Sequence, residues 1–161
     1  MAIPAHLWLT DETGSPIKGS SQVLRREGSI EVLRFSHGVH NPSDAHTGKL
    51  LGTRNHSPIR IEKEFDRSSP YLYRAVAAGS PLRVAELKWY RVDEAGNEQE
   101  YFIMTMENVR VVAVAPLMHH VKDRDKAEYN HLEVVELRYQ KITWQHCDGN
   151  VQFSDDWRSF Y

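Results

Sequence analysis

The sequence predicts a mainly β protein that carries one docked α-helix. Apolar and polar residues alternate with a period of two in several segments, which is typical of half-buried strands. A complete set of helix start and stop signals occurs in one stretch, residues 68–79. Isolated helices below about 12–15 residues are marginal in water. The helix must therefore pack against something flat, and the rest of the chain can supply only a sheet.

The predicted helix has a clear beginning and end. Ser68 or Ser69 is expected to cap the first free N–H groups, and Pro70 suits the first helical position, where no N–H is needed. Gly79 supplies the left-handed residue that ends the helix. The apolar side chains that share one face at helical spacing are Leu72, Ala75 and Val76.

Seven segments are predicted to be strands. They are residues 5–9, 29–37, 59–65, 82–92, 101–115, 131–147 and 151–153. In residues 29–37 the apolar positions change face after Val32, which indicates a bulge or sharp coiling of the kind that curved sheets and barrels need. The strand 101–115 is expected to bend at Asn108. The sequence Asp148-Gly149-Asn150 predicts a tight hairpin turn.

Residues 38–53 form the longest polar stretch and are predicted to be an extended loop. Loops of this length are uncommon in compact domains and are usually functional. We therefore expect this loop to be functional, although its residue types do not indicate a particular chemistry.

Length and composition fit one domain spanning residues 1–161. The chain is 40% hydrophobic and 26% charged, with a formal net charge of −2. This near-neutral balance argues against a nucleic-acid or anionic-membrane surface. The N-terminal residues lack the features of a signal peptide, and no apolar run approaches the roughly 20 residues of a membrane span. We therefore expect a protein made in the cytoplasm, with no membrane insertion.

The candidate chemical sites all have plainer explanations. The histidine pairs His37/His40 and His119/His120 match no standard metal-ligand spacing. Cys147 follows His146, but neighbouring side chains on a strand point to opposite faces. Gly48-Lys49 lacks the other residues of a phosphate-binding loop. We predict no catalytic residue, no metal and no cofactor.

Two features favour a role in assembly. Long predicted strands without internal proline, notably 101–115 and 131–147, leave edges that are suited to pairing with another chain. The loop 38–53 could reach a neighbouring molecule. A homo-oligomeric structural protein is therefore favoured, with a monomeric ligand-binding β-sandwich as the alternative and an enzyme third.

Many short motifs resemble, in order, those of the Hcp (haemolysin-coregulated protein) family of the type VI secretion system. The motifs are residues 5–9, 26–32, 47–50, 52–54, 68–73, 87–90, 101–102, 107–109, 116–119, 131–133, 136–139, 141–144, 148–150 and 154–157. His6 stands where the family is expected to have Tyr, and Cys147 is not a residue associated with the family. The resemblance covers the whole chain.

The resemblance implies two antiparallel sheets closing into a barrel with one flanking helix. It also implies homohexameric rings that stack into a tube, which a contractile sheath drives towards a target cell beneath a VgrG spike. Small effectors ride in the lumen, and the protein is secreted without a signal peptide. Because the sequence ends at Tyr161, we expect no C-terminal effector extension.

Loop tips and polar strand positions are the candidate contact residues. The predicted ring-stacking residues are Thr47, Gly48, Lys49, Leu50, Ala95, Gly96, Asn97, Arg158 and Ser159. The residues predicted to face the lumen and its cargo are Glu31 and Ser36.

Overall fold

The computed structural model describes residues 3–157, which form antiparallel strands and one α-helix. The strands are β1 (Ala5–Asp11), β2 (Pro16–Ile17), β3 (Ile30–Val32), β4 (Arg34–Ser36), β5 (Val39–His40), β6 (Asn55–His56), β7 (Ile59–Glu64), β8 (Leu82–Val92), β9 (Glu98–Leu117), β10 (Leu132–Arg138), β11 (Lys141–His146) and β12 (Val151–Asp156). Helix α1 spans Ser69–Ala78, and a short 3-10 turn spans Arg124–Lys126. The prediction of a mainly β protein with one helix is confirmed.

Strand β9 belongs to two sheets. Its first half pairs with β8 on one side and with β11 on the other, and β12 follows β11 at the edge. Its second half pairs with β10, which continues to β7 and β4. Asn108 lies where the two halves meet and has a positive φ of 51°, which bends the strand as the sequence predicted.

The outer edges of the two sheets are joined by one bent segment. Strand β3 pairs with β1 in the first sheet, and β4 pairs with β7 in the second. Between them, the Leu33 N–H donates to the carbonyl of Glu62 at 2.8 Å, so the backbone ladder continues across the bend. The predicted change of face within residues 29–37 is therefore the seam at which the two sheets close into a barrel.

The core lies between the inner faces of the two sheets and is covered at one end by α1. Leu72 and Ala75 of the helix are buried, at 1% and 4% exposure, and the helix packs against β9. Burying a leucine side chain contributes about 1.5–3 kcal/mol, so this apolar stripe holds a helix that is too short to persist alone.

The start of α1 differs from the prediction. The side chain of Ser68 makes no capping bond; its hydroxyl donates to the carboxylate of Asp66. The Ser69 hydroxyl donates to Glu133 Oε1 at 2.6 Å and accepts from the Asp66 N–H at 3.0 Å. Pro70 lies in the first turn and Gly79 ends the helix with a φ of 66°, both as predicted.

The prediction of a single strand over residues 131–147 is wrong. The chain forms β10 in the second sheet and β11 in the first, with a break at Tyr139 and Gln140. At the break, the Gln140 N–H donates to Glu107 O at 3.1 Å and its carbonyl accepts from Trp157 N–H at 2.9 Å. These bonds satisfy the backbone while the chain passes from one sheet to the other, which a continuous apolar pattern does not reveal.

Candidate assembly surfaces

The loop 38–53 is a structured arm rather than an irregular loop. Its base is the two-stranded ladder of β5 and β6, and Ser43 pairs with Leu50 further out. The carboxylate of Asp44 accepts from the backbone N–H groups of His46 and Thr47 at 2.7 and 2.9 Å. The hydrogen bond from Thr47 is the main cause, and that from His46 the second, of a pKa of Asp44 below its usual range.

The predicted stacking residues of the arm form its tip. Thr47, Gly48, Lys49 and Leu50 are all exposed, and Leu50 leaves 60% of its surface uncovered. Gly48 has a φ of 73°, and a Cβ at this position would meet no atom within 4 Å. The tip is therefore a preformed turn with open space around it.

The second predicted tip joins β8 to β9. Asp93 and Asn97 close the turn through two bonds: Asp93 N–H donates to Asn97 O at 2.8 Å, and Asn97 N–H donates to Asp93 Oδ1 at 2.8 Å. Gly96 takes a φ of 83°, and Ala95, Gly96 and Asn97 are exposed. The other two predicted stacking residues, Arg158 and Ser159, lie outside the described residues.

The arm base and this hairpin lie at the same end of the barrel. Phe35, just before the arm, packs edge-on against Trp89 of β8, with ring centroids 4.9 Å apart. The arm leads directly into the start of β7, whereas α1 follows its end. The helix therefore begins at the opposite end of the barrel from the arm.

The two predicted lumen residues do not form one patch. Ser36 lies on β4 in a polar hollow that it shares with Arg34, Arg60 and Glu62. Glu31 lies on β3, in the other sheet, and lines a separate hollow beside Ser20, Leu33 and Glu64. Both side chains are exposed.

A buried polar network fixes the arm to the last strand. His56, in the arm base, lies with Nε2 2.6 Å from Asp155 Oδ2 and with Nδ1 2.5 Å from the Tyr139 hydroxyl. His37 Nε2 reaches the same hydroxyl at 2.8 Å. Arg54 donates to both carboxylate oxygens of Asp155, at 2.8 and 3.0 Å.

The network has one consistent proton arrangement when both histidines are neutral. His56 must donate from Nε2 to the Asp155 carboxylate, so its Nδ1 accepts the Tyr139 proton. His37 then donates from Nε2 to the Tyr139 oxygen. Burial lowers the pKa of His37, and a positive charge on the neighbouring His56 would lower it further. Burial would raise the pKa of Asp155, but the bonds from Arg54 and His56 outweigh it and keep it low.

This arrangement does not make Tyr139 a nucleophile. Burial and the nearby Asp155 carboxylate raise the pKa of Tyr139 far above its ordinary value, so the phenol keeps its proton. The Tyr139 side chain is buried, and its hydroxyl lies between two imidazoles. The network is a structural tie.

A second buried cluster fixes the start of α1 to the second sheet. Lys63 and Glu133 are fully buried and paired, and Lys63 Nζ also lies 3.0 Å from Asp66 Oδ1. The Ser69 hydroxyl joins through Glu133 Oε1. Lys63 has the same alternation along β7 as Ile59 and Ile61, so the sequence contains a signal that could have indicated a buried charge. The sequence does not indicate its partner.

A third cluster surrounds His6. Its Nδ1 lies 2.8 Å from the Ser29 hydroxyl, which itself donates to Arg26 O at 2.7 Å, so His6 must be the donor to Ser29. Arg26 lies 3.6 Å above the Tyr90 ring and pairs with Glu98 at 2.7 Å. Burial, aided by the Arg26 charge, lowers the pKa of His6 to about 4.

The weaker chemical candidates gain no support from the geometry. Burial raises the pKa of the Cys147 thiol, and His146 Nδ1 bonds to Asp148 O at 2.9 Å. Among residues 3–157, no group of three potential ligand side chains is arranged to hold a metal ion. No helix in that part of the chain is long and apolar enough to cross a bilayer.

Comparison with known proteins identifies the family. The family model "Type VI secretion system effector, Hcp" matches residues 6–146. The "Major exported protein" of Pseudomonas aeruginosa is 34% identical over 99% of this chain and 98% of its own length.

Solved structures agree. Hcp1 from E. coli EAEC 042 is 54% identical and superposes with a TM-score of 0.87, covering 97% of this chain and 99% of that one. The secreted protein Hcp3 from Pseudomonas aeruginosa is 30% identical with a TM-score of 0.80, covering 98% and 100%.

A barrel of two antiparallel sheets with projecting, preformed loop tips and buried structural polar networks is typical of a protein that assembles by shape complementarity. It is a structural, secreted component of a secretion machine and not an enzyme. The chain belongs to the Hcp family, whose members self-assemble into the tubes of the type VI secretion system.

Proposed function

We propose that six copies of this chain close into a ring and that rings stack head to tail into the inner tube. A contractile sheath drives this tube beneath a VgrG spike, and small effectors travel in its lumen. Ring closure needs two different complementary surfaces on one subunit, and stacking needs another two.

The position of β12 at an edge of the first sheet is the observation that carries the ring proposal. Within the described residues β12 forms a strand ladder with β11 alone, and an edge strand of this kind is suited to contact with another chain. Val151 and Phe153 on this strand are 68% and 58% exposed. An uncovered apolar edge of this kind favours contact with a neighbouring copy.

Stacking is supported by the two ends of the barrel. The arm and the β8–β9 hairpin place the candidate tips, which include Gly48 and Gly96, at one end. The opposite end carries α1 with Tyr71 and Tyr73 exposed by 52% and 40%. Head-to-tail stacking would bring the tips of one ring against the helix end of the next.

Size-exclusion chromatography with light scattering tests the ring. Six copies of the 18.6 kDa chain give about 112 kDa, whereas a ligand-binding sandwich gives a single 18.6 kDa species at every concentration. Phe153→Glu should dissociate the ring by placing a charge on the β12 edge. Tyr129→Glu, at an aromatic residue 50% exposed in the 118–131 connection, is the control and should leave the mass unchanged. A wild-type monomer would refute the proposal.

A further inference from the structure

The outer face of the second sheet carries a strip of arginines that strand register defines. Ser36 lies opposite Arg60, and Arg60 lies opposite Glu136. Arg138 is two residues beyond Glu136 on the same face, directly opposite Arg110 on β9. If Ser36 faces the lumen, Arg110 and Arg138 share that face with it.

The positive charge of this strip is poorly neutralised. Arg34 and Arg60 reach Glu62 and Glu136 only at 3.9 Å each, with the arginine side chains 82% and 61% exposed. For Arg110 and Arg138, no carboxylate in the described part of the chain lies within 4.0 Å. Arg110 donates to the carbonyl of Gly79, at the C-terminal end of α1, at 2.9 Å, and the partial negative charge of that helix end offsets only part of the arginine charge.

Two like charges directly opposite on paired strands destabilise a sheet. The formal net charge of the chain is −2, so general composition does not explain this local excess. The pair borders an open hollow of about 350 Å³ that is also lined by Asn108, Gln140 and Trp157. Guanidinium groups with amide neighbours are suited to carboxylates, which arginine binds through two parallel hydrogen bonds.

We propose that this arginine strip is the cargo-binding surface and that it selects proteins with carboxylate-rich surfaces. The inference rests on the proposed tube function. In a ring, each copy contributes one Arg110–Arg138 pair, so several weak contacts act together on one acidic cargo. Dispersed, exposed contacts of this kind hold cargo at low salt and release it as ionic strength rises.

Binding of a labelled decaglutamate peptide to the purified ring tests the proposal. We expect wild type to bind it at low salt and to lose it at high salt. The double variant Arg110→Gln/Arg138→Gln should raise Kd by about tenfold or more, which corresponds to 1.4 kcal/mol or more. The matched control Arg67→Gln/Arg74→Gln alters two exposed arginines elsewhere and should bind like wild type. Arg110→Glu/Arg138→Glu should instead bind decalysine.

Three outcomes would overturn the inference. They are equal binding by both double variants, no binding of decaglutamate by a wild-type ring, and a preference of the strip for duplex DNA or inorganic phosphate over decaglutamate. Light scattering on the same samples separates the two proposals. An intact ring without decaglutamate binding refutes only the cargo inference, whereas a monomeric wild type refutes the tube function. Circular dichroism and melting confirm that each variant is folded.

Discussion

His56 and Asp155 are 99 residues apart in sequence, yet their side chains meet at 2.6 Å in the interior. His56 belongs to the base of the arm and Asp155 to β12, an edge strand of the first sheet. One buried contact therefore links the candidate stacking arm to the candidate ring-forming edge.

Replacing Asp155 by Asn should destabilise the fold by about 2–4 kcal/mol. The change leaves Arg54 without its carboxylate and removes the charged acceptor of His56, and unpaired buried polar groups are costly. Urea denaturation would show a lower midpoint at an unchanged slope. Asp148→Asn, in an exposed turn, is the control and should stay within about 0.5 kcal/mol of wild type.

Lys63 and Glu133 should show strong energetic coupling. Lys63→Met leaves the carboxylates of Glu133 and Asp66 without their cation, and Glu133→Leu leaves Lys63 with Asp66 alone, so either single change should cost about 3–5 kcal/mol. The double variant removes both charges and should cost much less than the sum of the two. If the double variant lost as much unfolding free energy as the two single variants together, the double-mutant cycle would show that Lys63 and Glu133 are not coupled.

Gly48→Trp should leave rings intact and abolish tubes. The site is open, so the fold tolerates the side chain, although its φ of 73° adds about 1–2 kcal/mol of local strain. Gly48→Asn is the control, because asparagine tolerates this conformation without the bulk. Electron microscopy measures tube length and light scattering measures ring mass. If the Gly48→Trp variant formed tubes of normal length, the arm tip would not be part of the stacking surface.

Stability should fall as the pH drops from about 6.5 to about 4. The pKa of His6 is lowered to about 4 in the folded state, so the unfolded chain binds a proton that the folded chain does not. The free energy of unfolding therefore decreases as the pH falls below the ordinary histidine pKa, and the decrease reaches on the order of 3 kcal/mol near pH 4. His37, whose pKa is also lowered, adds to the loss in the same direction.

His6→Asn isolates this contribution. The amide keeps a donor towards Ser29 but does not titrate. Its free energy of unfolding should fall less steeply with acid than that of wild type, whatever its stability at neutral pH. If the free energy of unfolding had the same pH dependence in both proteins, the pKa of His6 would not be lowered by folding.

Local signals explain what the sequence could predict. The end of α1 at Gly79 and the hairpin turns at Gly96 and Gly149 all require positive φ, which glycine reveals without knowledge of the fold. The bend at Asn108 follows the same rule, since asparagine tolerates that conformation.

The remaining features depend on partners distant in sequence. The sequence shows Lys63 as a charged residue at a position of the strand that is otherwise apolar, but its partner Glu133 lies 70 residues away. The break at Tyr139 is invisible because the apolar pattern continues across it while the strand changes sheet. His56 carried no signal at all, because its role follows from Asp155 and Tyr139 folding around it.

The 20 residues of β9 run through both sheets without a break in the chain. Force applied to one sheet is therefore carried to the other along covalent bonds, and not only through side chains that could slide past each other. In the proposed tube, a subunit built in this way would pass an axial load from one sheet to the other through its own backbone. The two sheets could then not slide apart without breaking the hydrogen-bonded ladders on both sides of β9.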